Sequence, residues 1–239
     1  MASHAKRPLP PPPTQPPQLS RALLEVLSVR ETVRLPLAAL RLSRGRRGSG
    51  RPVLMVPGLG ATDESMLPLR LYLRRLGHDA RAAKLGRVND DVVAQYQRVA
   101  ERVSRLSAAT GDEVALVGWS IGGVLCREAA RDAPHAVSQV ITFGTPVVGG
   151  PTFSVVARRY DAATLRAIGQ QVDERNTTPI RVPITAIWSR NDGIVDPAAC
   201  IDRRSPNVEN IEVTSTHFGM GIDPDVWHHI ATRLAANPR

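Results

Sequence analysis

Two cysteines in 239 residues cannot supply a disulfide framework. Cys126 and Cys200 also lack metal-ligand spacing, and the six histidines form no HExxH or comparable pair. Cys126 falls on the apolar side of a helical pattern and is expected in the core. Adjacent His228 and His229 point in different directions from a helix and read as surface residues. No metal and no cofactor is therefore expected. No apolar run approaches the roughly 20 residues of a membrane-spanning helix. The first 18 residues hold "PLPPPPTQPP" in place of the apolar core of a secretory signal, so the expected compartment is the cytoplasm.

Aromatic residues make up 4% of the chain against 42% apolar, so the core must be built from Val, Leu, Ile and Ala. The length suits one α/β domain. Net charge is +9 but unevenly placed. Through Arg51 ten basic residues face two acidic ones, an excess of +8, and the remaining 188 residues carry only +1. A nucleic-acid partner would need a basic face with aromatics or a recognisable module. The sequence has neither, so nucleic acid is not expected as a partner.

Residues 1–18 are expected to be a disordered, proline-rich tail. Residues 19–51 read as a basic helical arm and linker. Leu19, Leu23, Leu24 and Leu27 form an apolar stripe, Leu35, Leu37, Leu40 and Leu42 continue it, and Pro36 should break the helix. "RGRRGSGR" reads as a flexible basic linker. The stripe has two readings. It packs against the rest of the chain, or it lies in a membrane interface with its arginines as peripheral contacts.

Residues 52–239 read as the catalytic domain, alternating strand and helix. "PVLMVPG" is a strand. "DESMLPLRLYLRRLG" is a helix with Asp63 as a candidate N-cap. "HDARAAKL" is a strand. "DDVVAQYQRVAERVSRLSAAT" is a long helix with Val93, Tyr96, Val99, Val103 and Leu106 on one side. "EVALVGW" is a strand and "GGVLCREAARDA" a helix. "SQVITFGTP", "IRVPITAIWS" and "VENIEVTST" are three more strands, and "DPDVWHHIATRLAANP" is a closing helix. Such alternation predicts a parallel sheet covered on both faces, with ligands at the carboxyl ends of its strands.

One junction carries chemistry. In "VGWSIGG" Ser120 sits between a strand and a helix with almost no loop, flanked by Gly118 and Gly122. Such a turn pushes the hydroxyl above the sheet edge and needs small neighbours two positions either side. Three fixed Gly and Ser positions match by chance in about one chain in ten of this length, so the strand and helix around them matter. A serine hydroxyl also needs a base and an acid behind that base. Two loops after strands qualify. "SRNDGIVDP" offers Asp192 and Asp196, and "TSTHFGMG" offers His217. Their order, Ser then Asp then His at three strand ends, is the order this architecture uses. The backbone N–H of Ile121 and that of Leu59, in the glycine-rich turn "VPGLGA", are the candidate oxyanion donors.

The pieces "VPGLGA", "LVGWSIGG", "ITFGTPVVGG", "SRNDGIVD" and "THFGM" resemble the α/β-hydrolase superfamily, and within it the compact bacterial lipases and esterases. The resemblance runs from Val53 to Met220. It implies that Asp192 is the triad acid and that Asp196 supports it. It also implies a mainly parallel six-stranded sheet lacking the first two strands of the full fold, with a small cap inserted at about 147–179. Pro57 stands where the family usually has histidine before the oxyanion glycine, and Trp119 where many lipases have histidine. Trp119 and Phe218, next to Ser120 and His217, are the expected substrate contacts. The implied activity is hydrolysis of a small-molecule or lipid carboxylic ester through an acyl-enzyme. An acyltransferase on the same residues and a non-catalytic binding protein of this fold are the alternatives.

Overall fold

Pro52–Val56 (β1) is buried along its whole length because both of its neighbours are strands and both of its faces are covered. The computed structural model describes residues 8–236. Six parallel strands form one sheet. They are β1, β2 (Asp79–Ala82), β3 (Val114–Trp119), β4 (Val137–Phe143), β5 (Ile184–Ser189) and β6 (Val208–Val213). Their order is β2-β1-β3-β4-β5-β6, so the chain reverses direction across the sheet between β1 and β3.

Side chains alternate along β1, as the pleat requires. Val53 and Met55 join a cluster on one face, and Leu54 and Val56 a cluster on the other. The first face is covered by α3 (Leu67–Arg75), through Leu69, Tyr72 and Leu73, and by α7 (Pro224–Ala236), through Val226, Trp227 and Ile230. The second is covered by α4 (Val92–Thr110) and α5 (Ile121–Asp132). Val99, Val103 and Leu106 of α4 and Leu125, Cys126 and Ala129 of α5 are buried there. Each large side chain so buried contributes about 1.5–3 kcal/mol.

Two local expectations change, and the expected cap takes shape as a helix. Asp63 does not cap a helix. Its carboxylate accepts N–H bonds from Ala83 and Lys84, tying the turn after β1 to the end of β2, and α3 begins four residues later. The "RGRRGSGR" segment is pinned rather than free, with Gly48 N–H donating to Leu76 O at 2.8 Å and Gly50 N–H to Gly77 O at 3.1 Å. The segment between β4 and β5 holds a 14-residue helix, α6 (Ala162–Arg175), started by the Asp161 carboxylate on Thr164 N–H.

The arm also differs from expectation. It is a 3₁₀ helix, Leu19–Ser28, running into α1 (Val29–Leu37) and α2 (Ala39–Ser43). Pro36 lies inside α1 at its last turn, and the break follows at Ala38. Only Leu42, with Leu35 and Ala38 partly, reaches the core. The arm docks through its polar side: Arg34 pairs with Asp223 and Asp225, and Arg41 with Asp225. Most of the rest of its apolar stripe faces outward, with Leu23 at 72%, Val26 at 71% and Leu37 at 81% exposure. Polar groups won the inward side because the surface beneath them offers carboxylates and free backbone groups rather than apolar side chains. Residues 1–7 of the proposed tail lie outside the described residues. Of the rest, Pro8 O accepts from Arg190 at 2.8 Å.

Candidate active site

Ser120 follows the last residue of β3 and has φ 55 and ψ −126, a strained conformation for a residue with a Cβ. The glycines around it are there for space. A methyl at Gly118 would lie 2.5 Å from the backbone of Gly122 and Gly123. One at Gly122 would lie 2.3 Å from Val56 O, and one at Gly123 2.0 Å from Thr145 Oγ1. The first turn of α5 therefore wedges directly between β1 and β3, and that wedge holds Ser120 in its strained turn. Ile121 is the first residue of α5, where a backbone N–H has no acceptor within the helix.

Asp192 and His217 leave the carboxyl ends of β5 and β6 and are both buried. Nδ1 of His217 lies 2.8 Å from Oδ2 of Asp192. Oδ1 of Asp192 accepts the N–H groups of Ile194 and Val195, at 2.9 and 2.8 Å, which fixes the carboxylate from the other side. Asp196 faces elsewhere. It accepts from Ala198 N–H and caps a short 3₁₀ turn, Pro197–Cys200. The structure thus separates the two acids that the loop sequence left open.

Burial works against the protonated imidazole of His217, but the charge and hydrogen bond of Asp192 and the charge of Glu25 outweigh it. The His217 pKa is raised. The ring sits against Trp119, centroids 6.1 Å apart, and edge-on to Phe218 at 5.7 Å. A methyl at Gly144, just after β4, would lie 3.0 Å from the ring. His217 therefore overhangs the ends of β3 and β4, where Ser120 emerges.

A cavity of about 560 Å³ opens at Ser120. Leu59, Ser120 and Ile121 lie on one side of it. Val156, Ile168 and Val172, from the insertion between β4 and β5, form another wall. Val93 and Tyr96 of α4 line it too, and Tyr96 also packs against the core. Trp119 and Phe218 are not among the lining residues. Trp119 is half-buried between Phe143, His217 and Gly221, and Phe218 is exposed beyond His217. Among the described residues no three His, Cys, Asp or Glu side chains are grouped as a metal site requires, and no helix is long and apolar enough to cross a membrane.

A mature lipase from Bacillus licheniformis superposes with a TM-score of 0.61 at 18% identity, covering 80% of this chain and 94% of that one. The chain has the α/β-hydrolase fold. A lipase-esterase related protein from Clostridium acetobutylicum gives a TM-score of 0.59 at 15% identity over 81% of this chain and 96% of that one. In sequence, a pimeloyl-[acyl-carrier protein] methyl ester esterase from Aliivibrio salmonicida is 27% identical over 143 residues, 56% of this chain. The match spans half the length of that relative. No protein-family model matches the chain.

Two features escaped the sequence. Glu25 reaches the loops that carry Asp192 and His217, and nothing around it in the sequence marks a site. The helix α6 within the expected cap went unread because it buries none of its residues and so leaves a weak apolar pattern.

Proposed function

We propose that the protein hydrolyses carboxylic esters through an acyl-enzyme, with Ser120 as nucleophile, His217 as general base and acid, and Asp192 as the group that orients His217. The observation that carries this is a hydroxyl on a strained turn at a cavity, together with a buried His–Asp pair 2.8 Å apart whose imidazole packs on Trp119, the residue before that hydroxyl. Ser120 Oγ attacks the ester carbonyl carbon while His217 takes its proton. The carbonyl oxygen becomes an oxyanion held by the N–H groups of Leu59 and Ile121. The intermediate collapses, and the leaving alcohol departs with the proton from His217. Water then attacks the acyl-serine, giving up its proton to His217. The second intermediate releases the acid as that proton returns to Ser120.

The apolar walls of Val93, Val124, Val156 and Ile168 suit an uncharged acyl chain of moderate length. The likeness to lipases and to a methyl ester esterase supports the same class. A fluorophosphonate probe tests the reading. It should label the wild type once and leave Ser120→Ala unlabelled, and aryl esters of increasing acyl length should be turned over until the cavity is filled. Undiminished labelling of Ser120→Ala would overturn the assignment. Ester product appearing when an alcohol is added would mark acyl transfer in place of hydrolysis.

The arm supports a second proposal, that it rests on an anionic lipid surface. Its exposed apolar stripe is accompanied by exposed Arg44, Arg46 and Arg47, a combination suited to a headgroup layer.

A further inference from the structure

We propose that Glu25 is a positioning residue for the reaction: one carboxylate on the amino-terminal arm joins the loop of Asp192 to the loop of His217. The inference rests on the roles proposed above for those two residues. Oε1 of Glu25 accepts the N–H of Gly193 at 2.9 Å and the N–H of His217 at 3.0 Å. Oε2 accepts the N–H of Phe218 at 2.8 Å. Gly193 is the residue after the acid, and His217 is the base itself. The two loops leave different strands and are joined by the 2.8 Å hydrogen bond of Asp192 and His217 and by Asn191 Nδ2 donating to Thr214 O at 2.7 Å. The carboxylate adds a tie that binds the backbone of Gly193 directly to the backbone of His217.

Neighbouring contacts show that the seat is made for the arm. A methyl on Gly193 would lie 2.3 Å from Arg21 O and 2.9 Å from Glu25 Oε1, so the arm backbone closes directly on that glycine. The Arg21 guanidinium donates to Arg190 O at 2.7 Å and to Asp192 O at 3.3 Å, holding the acid's loop from the same side. A base displaced by about 1 Å from its working geometry can lose 10²-fold in rate, so a tie of this kind acts on turnover.

Glu25 also acts by charge. The charged groups around His217 are Asp192 from the acid loop, and Glu25, Arg21 and Glu31 from the arm. Glu31 is taken up by Arg30 and Arg34. Asp192 and Glu25 both favour the protonated imidazole. Removing the Glu25 charge should therefore make His217 easier to deprotonate.

The full-length Glu25→Gln variant tests this. Its side chain keeps one acceptor oxygen, so at least one of the three N–H groups loses its partner, and the charge is gone. The expected result is a fall in kcat of about 10- to 100-fold with KM little changed, and an acid limb of the pH–rate profile displaced to lower pH. Glu25→Asp keeps the charge on a shorter reach. It should lose kcat with the acid limb in place, and it carries the test if the glutamine variant does not fold. Wild-type kcat in both variants overturns the proposal. So does a lowered melting temperature with an unmoved acid limb in Glu25→Gln, which would make Glu25 structural alone. The underlying reading is judged separately: activity surviving in Ser120→Ala removes the proposed roles, whereas an inactive Ser120→Ala beside unaffected Glu25 variants removes only the role of Glu25.

Discussion

Asp192 gives one carboxylate oxygen to His217, at 2.8 Å, and the other to two backbone N–H groups of its own loop. Such a carboxylate cannot rotate away from the imidazole without breaking three bonds. Asp192→Asn should lower kcat by about 10⁴-fold, because the amide can present N–H to Nδ1 and favour the wrong tautomer. Asp196, four residues on, only caps a 3₁₀ turn, so Asp196→Asn should change kcat far less. Steady-state rates of the two variants on one aryl ester decide it. A larger loss at Asp196 would refute the assignment.

The direction of the His217 shift fixes the pH dependence. In the role proposed for His217 the imidazole works only when neutral. Its folded pKa is raised above the ordinary histidine value of about 6.5, so the imidazole stays protonated to a higher pH than a free histidine would. Plotted against pH, kcat/KM should therefore fall on acidification with a midpoint above about 6.5. A midpoint below that value would show that burial of the ring outweighs Asp192 and Glu25.

Backbone strain at Ser120 makes activity and stability separable. With φ at 55, every residue except glycine is strained there. Ser120→Ala should lose activity at nearly unchanged stability. Ser120→Gly should lose activity as well but gain about 1 kcal/mol, because relief of strain exceeds the added chain entropy of the unfolded state. Chemical denaturation of the three proteins measures this. A glycine variant less stable than the alanine variant would show that the turn is unstrained.

The sheet and the serine turn were legible because each rests on local sequence. Apolar runs such as "VALVG" have only one buried arrangement, and Gly118 and Gly122 are the residues a methyl cannot replace. That Asp192 and His217 follow strand ends was legible from the apolar runs before them. The arm's orientation was not. Its leucines and arginines give the same periodicity whichever side faces inward, and the choice depends on Asp223, Asp225 and the N–H groups that Glu25 meets, almost 200 residues away in the chain. Trp119 and Phe218 were placed by adjacency to reacting residues. Side chains next to a strand end point to either face, and these two turned away from the cavity lining.

A buried ion pair joins the helix of the serine turn to the segment after the acid loop. Arg127 of α5 lies 2.8 Å from Asp202, and both are almost fully buried. Burial alone would raise the Asp202 pKa. The Arg127 charge and N–H bonds from Ser205 and Arg204 reverse that and bring it to about 2. A depressed carboxylate pKa stabilises the fold above its unfolded value of about 3.9, and that contribution is lost as pH falls toward 2. Asp202→Asn leaves Arg127 buried and unpaired and should cost about 3–5 kcal/mol at neutral pH. Its stability should also depend less on pH between about 4 and 2 than that of the wild type. Urea denaturation at several pH values checks both.

The outward stripe of the arm gives the last expectation. Leu19, Leu23, Val26, Val29, Val33, Leu37 and Leu40 recur at three- and four-residue steps and are all more than half exposed. An apolar face of this length is costly to leave in water. Arginines beside it favour a negatively charged surface, each contributing about 1 kcal/mol near anionic lipid, and the attraction fades as salt shortens the Debye length to about 8 Å at 0.15 M. Full-length protein should therefore co-sediment with vesicles containing phosphatidylserine at low ionic strength. It should bind neutral vesicles far less and be partly released by salt. Leu23→Ser with Leu27→Ser should weaken binding without altering hydrolysis of a soluble aryl ester, because both side chains are more than half exposed. Protein that stays in the supernatant at low salt would overturn the lipid proposal. If it then sedimented as a dimer that the two serine substitutions dissociate, the stripe would be covered by a second copy of the chain.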